Sequence, residues 1–281
     1  MSNIIRIGHS PDPDDAFMFY AMLNDKIDNQ GLRIEECVED IESLNNRALN
    51  GELEMTAISW HLLSKVYKSY AVLDPGASMG LGYGPVLIAN KNSDISFPDL
   101  KGAKVALPGP HTTATLIMRI FASNFVEEFV PFDEIMAAVK NKDVDAGLLI
   151  HEGQITYEEE GFKKVVDYGE LWHQESGGLP LPLGTNAISK DVDSETAKKM
   201  AKILLDSIVW GEKNRQETND YARDFGRGLS EDKNDRFIKM YVNNKTISLG
   251  NEGVSAVNLL FKLAFDKGLI QEMPDWDLIK P

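Results

Sequence analysis

The chain is poor in cysteine and in long apolar stretches. Of its 281 residues only Cys37 is a cysteine, which excludes an internal disulfide and a zinc site built on cysteines. Cys37 lies in the acidic run 35–39, a setting that disfavours the thiolate, so the sequence predicts a packing residue rather than a nucleophile. No apolar run approaches the roughly 18 residues of a membrane span, and no basic segment followed by an apolar one opens the chain. We therefore expect a cytoplasmic protein without a signal peptide.

Basic residues are also scarce. Lys and Arg total 29 against 44 Asp and Glu, which gives a net charge of −15 at pH 7. This balance argues against nucleic acid or an anionic membrane as a partner, because both require a basic face. An anionic ligand would have to be held by local amide and hydroxyl donors. The 43% hydrophobic content is enough for two separate cores.

Residues 146–152 read Ala-Gly-Leu-Leu-Ile-His-Glu and place one imidazole at the end of an apolar run. Such a run is typical of a strand that is covered on both faces of a parallel sheet. Ligands of open α/β sheets bind at the carboxyl ends of the strands, and an imidazole can act there as a base near neutral pH. His151 is therefore the candidate catalytic base. The pattern leaves open the alternative that it only caps the strand by hydrogen bonding.

Two loops have the same design. Residues 10–15, Ser-Pro-Asp-Pro-Asp-Asp, follow a strand and precede an apolar helix, so at least one of the three aspartates is predicted to cap that helix. A metal site is the alternative for three clustered carboxylates, and we expect none because no downstream carboxylate completes it. Residues 108–114, Pro-Gly-Pro-His-Thr-Thr-Ala, repeat the arrangement with Thr112 and Thr113 as caps. The N-terminus of that helix is predicted to bind an anion, with simple capping as the alternative.

The recurrence predicts two lobes of similar βα build. Lobe I is predicted to comprise residues 1–88 and 190–281, and lobe II residues 89–189, with crossing segments near 84–90 and 182–189. Residues 52–59 are expected to form a strand that ends in Ser59. Residues 76–80 match the G-x-S-x-G pattern of serine hydrolases, but no helix can follow them, so the match is interpreted as accidental.

Five segments carry a resemblance to a known family. They are residues 10–15, 40–45 (Asp-Ile-Glu-Ser-Leu-Asn), 108–114, 147–152 and 179–184 (Leu-Pro-Leu-Pro-Leu-Gly). On these residues the chain resembles, nearly end to end, the menaquinone-biosynthesis family of the futalosine pathway, and within it the enzymes that form 1,4-dihydroxy-6-naphthoate. The resemblance implies an α/β, two-lobed fold of the periplasmic-binding-protein type II class, with two crossing strands and the ligand in the cleft between the lobes.

The resemblance also implies an activity and a site. The activity is that of a carbon–carbon lyase that splits cyclic dehypoxanthinylfutalosine, a small carboxylate substrate, without a metal or an organic cofactor. The family's proposed proton acceptor falls on His151. The candidate substrate-binding residues that follow from the matching segments are Ala57, Ile58, Ser59, Thr113, Ala114, Thr112, Ser10, Asp15 and Asn45.

One departure bears on the substrate. Many of these enzymes read Ser-Pro-Cys-Pro-Asn-Asp where this chain has Asp12 and Asp14 in place of the cysteine and the asparagine. The two extra acids would weaken binding of an anion unless they point away or are themselves capped. Two rival functions remain: a non-catalytic small-anion or solute-binding protein, and an enzyme similar to chorismate dehydratase. The missing export signal counts against transport, and the quoted motifs fit chorismate dehydratase less well.

Overall fold

The computed structural model describes residues 4–281; residues 1–3, part of the N-terminal stretch in which we expect no signal peptide, lie outside the described residues. The chain forms two compact units. Unit 1 comprises the chain up to Met79, Gly184–Val254 and Pro274–Pro281, and unit 2 comprises Gly80–Leu183 and Ser255–Met273. None of the helices found in residues 4–281 combines the length and the apolar character of a membrane span.

The first part of unit 1 alternates strands and helices. Its elements are β1 (Ile4–His9), α1 (Pro13–Leu23), β2 (Arg33–Val38), α2 (Ile41–Leu49), β3 (Met55–Ser59), α3 (Trp60–Val66), β4 (Tyr70–Leu73) and β5 (Ser78–Gly80), the last crossing into unit 2. No helix follows β5, as expected for residues 76–80.

Unit 2 has the same alternation. Its elements are β6 (Val86–Asn90), β7 (Asp99–Leu107), α4 (Thr113–Phe121), β8 (Ser123–Phe129), α5 (Ile135–Asn141), β9 (Ala146–Leu149), α6 (Gly153–Thr156), β10 (Phe162–Asp167), α7 (Tyr168–Glu175) and the start of β11 (Leu181–Ser189).

The chain then returns to unit 1 and is mainly helical. The remaining elements are α8 (Ser194–Lys213), α9 (Arg215–Ala222), a 3₁₀ turn (Arg223–Phe225), α10 (Glu231–Tyr241), α11 (Asn244–Ile247), α12 (Gly250–Asp266), which is divided between the units, and β12 (Leu278–Ile279). In the C-terminal tail the Trp276 ring lies edge-on against Trp60, with ring centroids 5.6 Å apart.

The sheet of unit 1 has the order β12-β4-β11-β3-β1-β2, with β5 paired to β11. Strands β2, β1 and β3 are mutually parallel neighbours, so their carboxyl ends open at one edge. Helices α1 and α8 cover the sheet, and their apolar faces form a core that includes Phe17, Phe19, Met200 and Leu204. We call the edge where β1, β2 and β3 end, together with the first turns of α1 and α3 and the part of α2 that reaches Ser59, the Ser59 edge.

The sheet of unit 2 has the order β10-β6-β9-β7-β8. Strand β7 is parallel to both β8 and β9, so these three strands also share a carboxyl edge. We call this edge, which comprises the segments 108–114, 130–134 and 150–153, the His151 edge. The apolar run in β9 is fully buried, as the sequence predicts for a strand covered on both faces.

Gly147 allows helix α5 to pack directly on β9. A Cβ at this position would lie 2.5 Å from Cγ2 of Ile135 and 2.9 Å from Cγ2 of Val139, both on α5 and both fully buried. These side chains are β-branched and therefore stiff, so they cannot move aside at low cost. The glycine thus fixes the distance between α5 and the strand that precedes His151.

Substitution Gly147→Ala is expected to lower the free energy of unfolding by about 1–3 kcal/mol, because the added methyl group overpacks the α5–β9 contact. Urea unfolding at constant pH measures the change. Gly184→Ala is the matched control, since a Cβ there would meet only the Ile58 carbonyl oxygen at an ordinary 3.5 Å. Equal stability of the two variants would contradict the packing role of Gly147.

Candidate functional site

His151 lies at the carboxyl edge of unit 2, two residues after β9 ends. Ala106 of β7 is opposite Gly147 of β9, so the residues that follow both strands emerge side by side. The residues that follow β7 form the loop that leads to the N-terminus of α4. Adjacent strands are about 4.8 Å apart, so the base predicted from the sequence and the predicted anion site share one edge of one sheet.

The backbone of His151 is in the left-handed region, with φ of +54°. This conformation is uncommon for residues with a Cβ and costs of order 1–3 kcal/mol, although histidine, asparagine and aspartate adopt it more readily than most. The imidazole packs edge-on against Phe132, with ring centroids 4.8 Å apart and an interplanar angle of 66°. The turn and the aromatic contact together fix where the half-buried imidazole lies.

The N-terminus of α4 supplies amide donors at the same edge. Thr112 is the N-cap: its hydroxyl oxygen accepts from the Thr115 N–H at 3.2 Å, as expected for a capping threonine. The hydroxyl of Thr113 donates to the Leu183 carbonyl at 2.7 Å, so this residue does not cap the helix. The Ala114 N–H has no intrahelical acceptor because it is in the first turn, where the helix dipole favours an anion.

In unit 1, Asn45 and Ser59 bind each other at the Ser59 edge. The Asn45 side chain accepts the Ser59 N–H at 3.0 Å and donates to its hydroxyl oxygen at 3.1 Å. Both residues are buried, and neighbouring Ala57 and Ile58 are buried as well. Asn45 therefore orients the hydroxyl of Ser59, and the structure brings together these four residues predicted from separate motifs.

The loop after β1 is held by a second polar network. The Ser10 N–H donates to Oδ2 of Asp15 at 2.7 Å, and Nδ1 of His9 lies 2.9 Å from the Ser10 carbonyl oxygen. Nε2 of His9 is 2.8 Å from Oε1 of Glu36. Burial opposes the charged imidazole, but the bond to Glu36 and the charge of Asp15 outweigh it and raise the pKa of His9. The same hydrogen bond lowers the pKa of Glu36.

Asp12 is capped rather than free. Its Oδ2 accepts from the Ser10 hydroxyl at 2.6 Å, and its Oδ1 accepts from the Arg227 guanidinium at 2.8 Å. Asp12 occupies the N-cap position of α1, but its side chain makes no capping hydrogen bond there. Arg227 thus neutralises one of the two acids that distinguish this chain from the pattern it resembles.

Asp14 has a different environment. It is buried, and its Oδ1 has no hydrogen-bond partner. Burial, and then the charges of Asp15 and Asp12, raise the pKa of Asp14 well above its usual range. No three His, Cys, Asp or Glu side chains in residues 4–281 are grouped so as to hold a metal ion.

Sequence reasoning identified His151, Ser59, Asn45 and the α4 N-terminus but missed three residues. Phe132 lies in a loop with no helical or strand periodicity, and only its position after β8 could have indicated it. Arg227 and Asp12, which form a hydrogen bond, are 215 residues apart along the chain. Thr185, whose buried hydroxyl has no partner, lies in a strand with no motif of its own.

Comparison with known proteins places the chain among relatives of nearly equal length. A family model described as menaquinone biosynthesis matches residues 5–266. The chain is 34% identical over 270 residues to a 1,4-dihydroxy-6-naphthoate synthase of Thermus thermophilus, covering 96% of this chain and 97% of the relative. It is 31% identical over 281 residues to the Streptomyces coelicolor enzyme of the same name, covering 98% of each.

Solved structures give the same picture of the fold. A crystal structure of an Archaeoglobus fulgidus protein has a TM-score of 0.90 at 43% identity, over 96% of this chain and 99% of that one. The alkanesulfonate-binding protein of Xanthomonas axonopodis has a TM-score of 0.74 at 11% identity, over 99% of both chains. The second likeness shows the fold alone, and it confirms the α/β fold of the periplasmic-binding-protein class that the sequence predicts.

Removing the charge of Arg227 should leave a buried carboxylate unpaired. Arg227→Met is expected to lower the free energy of unfolding by about 2 kcal/mol, less than for a fully buried pair because the Arg227 side chain is 28% exposed. The double variant with Asp12→Asn should recover most of the loss, because the unpaired charge is then absent. Arg33→Met, which breaks an exposed pair with Glu35, is the control and should change stability little. Equal losses in the single and double variants would contradict the pairing.

The His9–Glu36 pair should make stability depend on pH. The raised pKa of His9 means that its contribution is complete below the ordinary value of 6.5 and is lost as pH rises through the folded-state value. The lowered pKa of Glu36 means that its contribution is complete above 4.5 and is lost as pH falls through the folded-state value. Urea unfolding of wild type and Glu36→Gln should therefore differ most between these limits. Glu35→Gln, on the neighbouring exposed position, should show no such window.

Proposed function

The chain belongs to the menaquinone biosynthesis family, and from this membership we propose that it is a carbon–carbon lyase that splits cyclic dehypoxanthinylfutalosine into 1,4-dihydroxy-6-naphthoate and a sugar-derived fragment. It is an enzyme that acts on a small molecule. The roles proposed for His151 and for the N-terminus of α4 are supported by one observation: both follow strands, β9 and β7, that pair in parallel and end at the same edge. A biosynthetic role on a small carboxylate favours the cytoplasm as its location.

His151 is proposed to remove a proton from the sugar portion of the substrate and so to start the carbon–carbon cleavage. A positioned general base typically contributes about 10²–10⁴-fold to the rate. Phe132 supports this role because its ring restricts the imidazole to one side. The left-handed turn at His151 is consistent with it, since strained backbone conformations concentrate at functional sites.

The substrate carboxylate is proposed to bind at the first turn of α4. The Ala114 N–H and the helix dipole favour an anion there, and the Thr113 hydroxyl oxygen can still accept a hydrogen bond after donating to Leu183. In unit 1, Ser59, oriented by Asn45, is a proposed substrate-binding residue. Ser10 and Asp15 keep the neighbouring loop in place through their mutual hydrogen bond and are proposed to act through it.

The rival function is solute binding without chemistry, which low-identity neighbours of this fold perform according to their names. Incubation with cyclic dehypoxanthinylfutalosine separates the two, with product followed by naphthoate absorbance. Conversion supports the lyase, and tight binding without conversion supports the binding protein.

Substitution His151→Asn is expected to lower kcat by about 10²–10⁴-fold while leaving the affinity for substrate largely intact. Asparagine removes the base but, like histidine, tolerates the left-handed backbone at φ +54°, so the loss would not come from strain. Steady-state turnover and calorimetric binding are the two measurements. His173→Asn is the matched control, because His173 is an exposed residue of α7. Unchanged turnover in the His151 variant would end the assignment of His151 as the base.

A further inference from the structure

Among residues 4–281, Asp14 Oδ1 is the one buried carboxylate oxygen that lacks a hydrogen-bond partner. Asp14 is only 7% exposed, so water does not readily replace the missing partner. A buried polar atom without a partner costs about 1–3 kcal/mol, and native structures retain few of them. The oxygen is therefore expected to meet a group that the free protein does not contain.

The charges around Asp14 favour its uncharged form. Two further carboxylates, Asp12 and Asp15, belong to the same first turn of α1. The Arg227 guanidinium is bound to Asp12. His9 of β1 and Glu36 of β2 bind each other. Burial and the charges of Asp15 and Asp12 raise the pKa of the Asp14 carboxyl, which favours its protonated form.

The position of Asp14 points to substrate. Helix α1 begins at the carboxyl end of β1. Gly8 of β1 is opposite Thr56 of the parallel strand β3, and Thr56 lies three residues before Ser59, so α1 begins at the edge where Ser59 lies. Gly184 of β11 is opposite Ser59, and the next residue, Thr185, also has a buried oxygen without a partner. The unpartnered oxygens of Asp14 and Thr185 thus belong to elements on either side of β3, the strand that ends in Ser59.

We infer that Asp14 binds the substrate as an uncharged carboxylic acid, donating its proton in a hydrogen bond to a sugar oxygen of the substrate. The inference rests on the proposed function and deepens it by naming a residue that selects the substrate. A protonated carboxyl group donates one hydrogen bond and does not repel an anion, so it can replace a side-chain amide as a neutral donor. This explains how the chain tolerates an acid where the pattern it resembles has asparagine.

Two substitutions separate an uncharged donor from an ionised group. Asp14→Asn keeps a neutral donor of the same shape, so substrate Kd should stay within about threefold of the parent. Asp14→Leu removes the donor and should weaken binding by about tenfold, the equivalent of one lost hydrogen bond. Both are measured calorimetrically in the His151→Asn background, where substrate binds without reacting. Asp25→Asn, just beyond the C-terminus of α1 and exposed, is the matched control.

A second measurement needs no substrate. Because the pKa of Asp14 is raised, folding favours its protonated form, and this stabilisation is complete below the ordinary value of 3.8 and declines as pH rises towards the raised value. Wild type should therefore lose stability relative to Asp14→Asn as pH rises above 3.8. His9 and Glu36 are present in both proteins, whereas Asp12 and Asp15 interact with the Asp14 charge and contribute to the difference.

The outcomes are distinct. Near-parental binding by Asp14→Asn, weak binding by Asp14→Leu and a stability difference that grows as pH rises above 3.8 support the inference. Tenfold tighter binding by Asp14→Asn would show an ionised Asp14, and equal affinities in both variants would show no substrate contact; either overturns it. If Asp14→Leu does not fold, Asp14→Ala replaces it. If wild type neither converts nor binds the cyclic futalosine, both the proposed function and this inference are overturned. If wild type converts it, the proposed function holds and the Asp14 variants test the inference separately.

Discussion

The parallel pairing of β7 with β9 is the constraint on which the candidate site depends. Ala106 opposite Gly147 sets the register, and that register determines which residues emerge together at the carboxyl edge. A shift by one residue would exchange the two faces of β9, with its buried apolar run, and would displace the turn that holds His151. Gly147 protects the register by letting α5 approach the strand more closely than any side chain would allow. The position of His151 in unit 2 is thus a consequence of core packing several residues away.

The second constraint is electrostatic. A chain with a net charge of −15 that binds an acidic substrate must keep local negative charge low where the substrate lies. At the Ser59 edge three features do this: Arg227 binds Asp12, the Ser10 N–H donates to Asp15, and burial raises the pKa of Asp14, which favours its uncharged form. At the His151 edge the first-turn amides of α4 are the proposed donors to the anion. Local hydrogen bonding and burial therefore matter more here than the overall field.

Much of the fold follows from local sequence patterns. The start of α4 follows from the predicted cap at Thr112, whose hydroxyl oxygen accepts the Thr115 N–H of the first turn. The burial of β9 follows from an uninterrupted apolar run. Sequence reasoning could not find the Asp12–Arg227 pair, since nothing local links a loop after β1 to a loop before α10. It also missed the left-handed turn at His151, because histidine carries no conformational signal comparable to that of glycine.

The difference between a lyase and a binding protein on this fold is small in structural terms. Both use a helix N-terminus to hold an anion, and a base is useful only if it is held at the same edge and cannot swing away. In unit 2 the turn at His151 and the ring of Phe132 supply that restraint, while a binding protein has no need to maintain a strained residue beside its ligand. Backbone strain of order 1–3 kcal/mol at one residue is therefore the kind of cost that chemistry, rather than binding alone, explains. The same reasoning applies to Asp14, whose unsatisfied oxygen lowers the stability of the free protein and is useful only when a substrate oxygen accepts its proton.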